Sequence, residues 1–195
     1  MSRKINIAIF ASGSGTNAQA ILEYFKESNL VEVKCIYSNN PNAFVLQRAR
    51  SYDKATFTFS KEEFYKTDKV FQHLRHNQID LIVLAGFMWL VPEKLVEHFE
   101  IINIHPALLP SYGGKGMYGH HVHEAVLANQ EKKSGITIHM VNKEYDKGEI
   151  LLQELCPVLP EDTPDSLAER IHKLEHEHYP LTIEKIAQKL RFQGS

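Results

Sequence analysis

Apolar positions change rhythm repeatedly along this chain, and the rhythm sorts most of it into strands and helices. "INIAIF" (5–10) is a short β-branched run ending in a Gly/Ser turn. After it, "NAQAILEYFKES" (17–28) places Ile21, Leu22, Tyr24 and Phe25 at helical spacing. "VEVKCIYS" (31–38) reads as a second strand, "AFVLQRARSY" (43–52) as a second helix, and "ATFTF" (55–59) as a third strand. Residues 61–77 predict one helix, and "DLIVLAGF" (80–87) a strand buried on both faces. Pro92 opens a helix over 92–99 at its first helical position, where a missing N–H costs nothing. "EIINIHP" (100–106) is the fifth strand. Strands alternating with helices at this spacing imply right-handed βαβ units and an open parallel sheet.

The rhythm then breaks. "SGITIHMVN" (134–142) and "EILLQELCPV" (149–158) are two strands joined by the short polar link "KEYDKG", so they predict an antiparallel pair added to the sheet. A long helix over 163–190 closes the chain; Asp162, Thr163 and Pro164 fit its start, and Pro180 is expected to kink or divide it. The fold class is α/β: a doubly wound, mostly parallel, Rossmann-like sheet with a C-terminal antiparallel strand pair and a long final helix.

Composition adds limits. A chain of 195 residues with 43% hydrophobic and 24% charged residues is expected to be one globular domain, 1–195, with a substantial core. Lys plus Arg is 22 against 24 Asp plus Glu, giving −2, so charge offers no reason to expect nucleic acid or an anionic membrane as partner. Cys35 and Cys156 sit in apolar runs and read as packed thiols in a reducing compartment. The opening "MSRKINIAIF" is too short in its apolar part for a signal-peptide core or a membrane span, which places the protein in the cytoplasm. Eleven histidines invite a metal reading, but His172 and His176 stand in H-K-L-E-H and lack the glutamate of a zinc-protease motif. No metal is expected; surface or substrate-contacting histidines are the simpler account.

Three places can carry chemistry. In "ASGSGTNAQA" (11–20), Gly13, Gly15 and Ala18 satisfy the loose G-x-G-x-x-G/A pattern. The second strand ends "YSNNPN" without the carboxylate that a dinucleotide ribose needs, so what remains is a helix N-terminus with free N–H groups, Thr16 and Asn17, suited to one phosphate. In "IINIHPALLPSY" (101–112), Asn103 and His105 share one side of a strand at its carboxyl end, where open α/β sheets bind ligands. An amide can donate to a developing oxyanion and an imidazole can move a proton, though a lone N-x-H is more often a structural pair beside its turn. The third is Asp146 in "KEYDKGE". Near His105 it would orient the ring and raise its pKa, although Asp-x-Gly is also plain turn chemistry.

Taken in order, "IAIFASGSGTNAQAI", "IVLAGFMWLVP", "NIHPALLPSY" and "GITIHMVNKEYDKGEILLQ" resemble the phosphoribosylglycinamide formyltransferases, folate-dependent enzymes of purine synthesis, over nearly the whole chain. The resemblance implies a phosphate-binding half (1–99) and a catalytic, folate-binding half (100–195). It implies that Gly15, Thr16, Asn17 and Glu175 bind the glycinamide ribonucleotide, and that Asn103, His105 and Asp146 are catalytic. It implies that Met88, Trp89, Leu90, Val91, Asn103, Asn142, Lys143, Glu144 and Tyr145 bind the folate, with 10-formyltetrahydrofolate as co-substrate and no metal. Small molecules are then the partners, in a monomer or homodimer. Two departures stand out. After "LLPSY" the family's bacterial pattern reaches its histidine quickly, whereas "GGKGMYGHHVH" here is several residues longer, and Trp89 stands where an arginine is often found after "AGFM".

Formyltetrahydrofolate deformylase, with water as acceptor, is the alternative activity. Methionyl-tRNA formyltransferase normally adds a C-terminal tRNA-gripping domain, which this chain length and charge do not lead one to expect. An NAD-dependent oxidoreductase lacks its second-strand acid, and a mere folate or nucleotide binder has no use for Asn103, His105 and Asp146 together.

Overall fold

A computed structural model describes residues 3–193. Seven strands form one sheet: β1 (Ile5–Phe10), β2 (Val31–Ser38), β3 (Ala55–Thr58), β4 (Leu81–Leu84), β5 (Glu100–His105), β6 (Lys133–Met140) and β7 (Ile150–Pro157). Their order is β3-β2-β1-β4-β5-β6-β7. The first five run parallel, β6 adds antiparallel to β5, and β7 antiparallel to β6, as the change of rhythm implied. Alternation divides β1 between two cores. Ile7 and Ile9 pack on one face with Ile21, Ile36 and Tyr179, while Ala8 and Phe10 pack on the other with Tyr37, Leu74 and Ile82. The strand order reverses between β1 and β4, which opens a crevice at their carboxyl ends.

The helices are α1 (Thr16–Tyr24), α2 (Val45–Ser51), α3 (Lys61–Tyr65), α4 (Lys69–His76), α5 (Glu93–His98), α6 (His120–Ala128) and α7 (Pro164–Gln193). Four places differ from the sequence expectation. The single helix over 61–77 is two, because the core needs Phe64, Val70 and Leu74 all buried. On one continuous helix Val70 would lie about 240° round from Phe64. A Ser60/Glu63 capping box starts α3, and Thr67 accepts from the Lys69 N–H where the chain restarts. Pro180 does not divide α7, which is held against the sheet on both sides of it by Ile171, Tyr179, Ile183 and Ala187. Helix α6, hidden in the histidine-rich stretch, buries Val122, His123 and Val126. Pro92 stands one residue earlier than expected, as the N-cap of α5. Among the described residues no helix is long and apolar enough to cross a membrane.

Tyr179 ties α7 to the crevice. Its side chain is fully buried, and its hydroxyl donates to the Leu84 carbonyl at 2.9 Å with the Ile102 carbonyl 3.3 Å away. Tyr179→Phe keeps the packing and loses that bond, so urea unfolding should show a loss of about 1–2 kcal/mol. An unchanged midpoint would mean that packing alone holds the helix there.

Candidate active site

A cavity of about 500 Å³ opens at the carboxyl ends of β1, β4 and β5 and reaches across to α7. At one end lies the glycine-rich turn. Gly15 is the N-cap of α1 with φ 75, a left-handed conformation that side chains rarely adopt, and a Cβ there would meet the Val45 side chain at 2.4 Å. Helix α2 fixes this turn from outside: the Val45 N–H donates to the Gly13 carbonyl at 3.1 Å, and Arg48 Nε to the Ser14 carbonyl at 2.8 Å. Gly15, Thr16 and Asn17 line the cavity where α1 begins, and the first N–H groups of a helix have no partner within it. Asn17 donates to Glu175 Oε2 at 3.0 Å. Glu175, only 5% exposed on α7, has its carboxyl pushed up to about 7 by burial, against the opposing bond from Asn17.

The centre is built by β5 and β6. Asn103 lies directly opposite His139, and His105 opposite Thr137. Thr137 pins the turn after His105, accepting from the Leu109 N–H at 3.0 Å and donating to the Ala107 carbonyl at 2.7 Å. His105 Nε2 donates to the Tyr112 carbonyl at 2.7 Å, so its Nδ1 is the free position, 3.7 Å from Asp146 Oδ2. That gap is too long for a hydrogen bond. Asp146 comes back toward β5 because the 141–148 loop folds tightly. A Cβ on Gly148 would sit 1.6 Å from the Met140 carbonyl oxygen, and the Gly114 N–H donates to Asp146 Oδ2 at 2.9 Å.

Electrostatics here correct one sequence expectation. Asp146 does favour the charged form of His105, but burial outweighs it and holds the imidazole pKa below its ordinary 6.5. At neutral pH the ring is uncharged at rest. Burial pushes Asp146 up, yet the protonated forms of His139 and His105, with the Gly114 N–H, favour its carboxylate and bring it below the usual range.

The other end of the cavity is aromatic. Trp89 lies 5.9 Å from Phe64, 6.2 Å from Phe59 and 6.3 Å from Phe87 between ring centres, and the Tyr65 hydroxyl donates to the Leu90 carbonyl at 2.8 Å. Met88, Trp89, Leu90, Val91, Glu144 and Tyr145 all line the cavity. Asn142 and Lys143 do not. Asn142 spends its side chain on the loop, bonding the Lys147 carbonyl and the Glu144 N–H, and Lys143 pairs with Glu93 and Glu97 on α5. The long loop supplies Gly114, Lys115, Met117 and Tyr118, and His123, His139 and His172 also reach the cavity. Sequence reading pointed to the long loop and to substrate-contacting histidines without assigning any of these residues, and it passed over His139. For His139 the signal was present, as a polar residue interrupting the apolar run "ITIHMV".

Residues 5–183 match the family described as formyl transferase. The chain belongs to the formyl transferase family. It is 37% identical over 195 residues to the chloroplastic phosphoribosylglycinamide formyltransferase of Arabidopsis thaliana, with 96% of this chain and 67% of the plant protein covered. It is 36% identical to the phosphoribosylglycinamide formyltransferase of Escherichia coli, covering 92% of this chain and 85% of that protein. The crystal structure of phosphoribosylglycinamide formyltransferase from Anaplasma phagocytophilum superposes with a TM-score of 0.87 at 38% identity, covering 96% of this chain and 88% of that one. Among the described residues of this formyl transferase, no group of three or more His, Cys, Asp or Glu side chains is placed to hold a metal ion.

Glu175 gives a stability test. Its folded pKa of about 7 exceeds its ordinary 4.5, so the folded state binds the extra proton between those values and stability falls as pH rises through that window. Glu175→Gln removes the ionisation. The variant should match the parent near pH 4.5 and exceed it by about 3 kcal/mol above pH 7. Melting curves that stay parallel across this range would contradict the buried carboxylate.

Proposed function

We propose that this formyl transferase carries the formyl group of 10-formyltetrahydrofolate to the amine of N1-(5-phosphoribosyl)glycinamide, giving the N-formyl product and tetrahydrofolate, the chemistry of de novo purine synthesis. One observation supports this reading above the others. The amide, imidazole and carboxylate of Asn103, His105 and Asp146 meet between a glycine-rich turn and an aromatic wall within one cavity. The names of the relatives agree with it.

The two ends divide the substrates. The N–H groups at Gly15, Thr16 and Asn17 take the phosphate of the glycinamide ribonucleotide, with the helix dipole favouring its charge. Glu175 holds the polar part of the same molecule. The aromatic segment Met88, Trp89, Leu90 and Val91, together with Glu144 and Tyr145 across the cavity, takes the folate. Asn142 and Lys143 act on it only through the shape of their loop. The donor supplies an activated formyl carbon, and side chains do the rest.

Asn103 donates from its amide to the formyl oxygen as charge builds there. His105, uncharged at rest with its hydrogen on Nε2, takes the proton of the attacking amine at Nδ1. Asp146, 3.7 Å from Nδ1, stabilises the imidazolium so formed. The same Nδ1 then gives the proton to the departing folate nitrogen, which returns the ring to its resting state.

The direct test is tetrahydrofolate release from the 10-formyl donor by purified protein, with and without the glycinamide ribonucleotide. Release that requires the ribonucleotide and yields formylated product is expected, with His105→Ala slower by about 10²–10³. Equal release in its absence would make water the acceptor and the protein a deformylase. Near-normal turnover by His105→Ala would remove the histidine from the mechanism.

A further inference from the structure

We infer that His139 is a positioning residue, which locks the Asn103 amide with its NH₂ group turned toward Asp146 and the cavity. The kinetic consequence rests on the formyl-transfer reading above; the lock itself stands on geometry alone.

His139 lies directly across the β5–β6 pair from Asn103 and is 2% exposed. Its Nδ1 is 2.7 Å from the Met140 carbonyl oxygen. A carbonyl only accepts, so Nδ1 must carry a hydrogen. With one hydrogen on the ring, Nε2 is a bare lone pair, and it faces the Asn103 side chain at 3.2 Å. A lone pair calls for a donor there. The oxygen and nitrogen ends of an amide have nearly the same size and shape, so packing cannot choose between them. The ring does choose.

The choice matters because of Asp146. His139 Nε2 and Asp146 Oδ1 stand 3.6 Å apart, two acceptors facing one another. The Asn103 nitrogen stands to one side of both, 3.2 Å from His139 Nε2 and 3.5 Å from Asp146 Oδ1. One amide hydrogen is held by the ring. The other has only that long, weak contact, so a carbonyl oxygen gaining negative charge in the cavity can win it. If the amide turned over, its own oxygen would face Asp146 and the incoming formyl oxygen, and would repel both. His139 therefore need not touch substrate to act on the rate.

Two measurements test this. Long-range ¹H–¹⁵N correlation of the His139 ring in the ligand-free protein near pH 7.5 should show hydrogen on Nδ1 and a bare Nε2. A ring with hydrogen on Nε2, alone or together with Nδ1, overturns the lock, and this readout needs no activity. In kinetics, His139→Phe preserves buried volume but offers no acceptor. Its kcat should fall about 10–100-fold, with KM for both substrates within about twofold. His139→Gln places an amide oxygen near the Nε2 position and should recover kcat to within about threefold of the parent. Unchanged kcat in His139→Phe, or a Gln variant as slow as the Phe one, overturns the inference. Absence of formyl transfer by the parent protein would instead refute the function, and the ring tautomer would still decide the lock.

Discussion

An antiparallel strand laid against the last parallel one decides what this cavity can do. The parallel strands end in a crevice, which any doubly wound sheet offers. By pairing with β5, β6 brings His139 and Thr137 opposite Asn103 and His105. The chain then turns within a few residues, because β7 must pair with β6, and that turn delivers Asp146. Gly148 allows it, since no side chain fits against the Met140 carbonyl there. Sheet register and one glycine thus set the geometry of the polar centre.

Burial then sets the charges. Of the carboxyls that line this cavity, Asp146 and Glu175 are driven apart. Asp146 is drawn below the ordinary range by the protonated forms of its imidazole neighbours and by the Gly114 N–H, whereas Glu175, bonded to Asn17, is pushed up to about 7. His105 goes the other way from what its proximity to Asp146 leads one to expect, because at 3.7 Å an unbonded carboxylate offsets only part of the desolvation. An uncharged imidazole beside a committed carboxylate suits a proton acceptor that must become a donor within one turnover.

Much of this was legible in the chain itself. The seven strands follow from apolar runs of the right length, and the antiparallel end follows from a link too short for a crossover. Asn103 and His105 could be placed on one strand face from spacing alone. Asp146 could not be brought to them that way, because 40 or more residues of loop, helix and strand intervene; only the family resemblance joined the three. Helix α6 was masked by its histidines, and the break between α3 and α4 was invisible because both halves are good helix formers. The sign of the His105 shift was illegible for a different reason: it is a contest between burial and charge, and sequence reports neither depth nor distance. Asn142 and Lys143 show the limit of transferring a whole segment: both are tied away from the cavity, to Lys147 and to α5, while the next three residues, Glu144, Tyr145 and Asp146, line it.

The central claim is that His105 rests uncharged beside an ionised Asp146. Its most direct test is an NMR titration of the His105 ring in the ligand-free protein, followed through the C2 proton, in the parent and in Asp146→Asn. The account requires a midpoint below 6.5 in the parent and a lower one still in the variant, which has lost the charge that favours the imidazolium. A parent midpoint at or above 6.5, or a midpoint indifferent to Asp146, would contradict it.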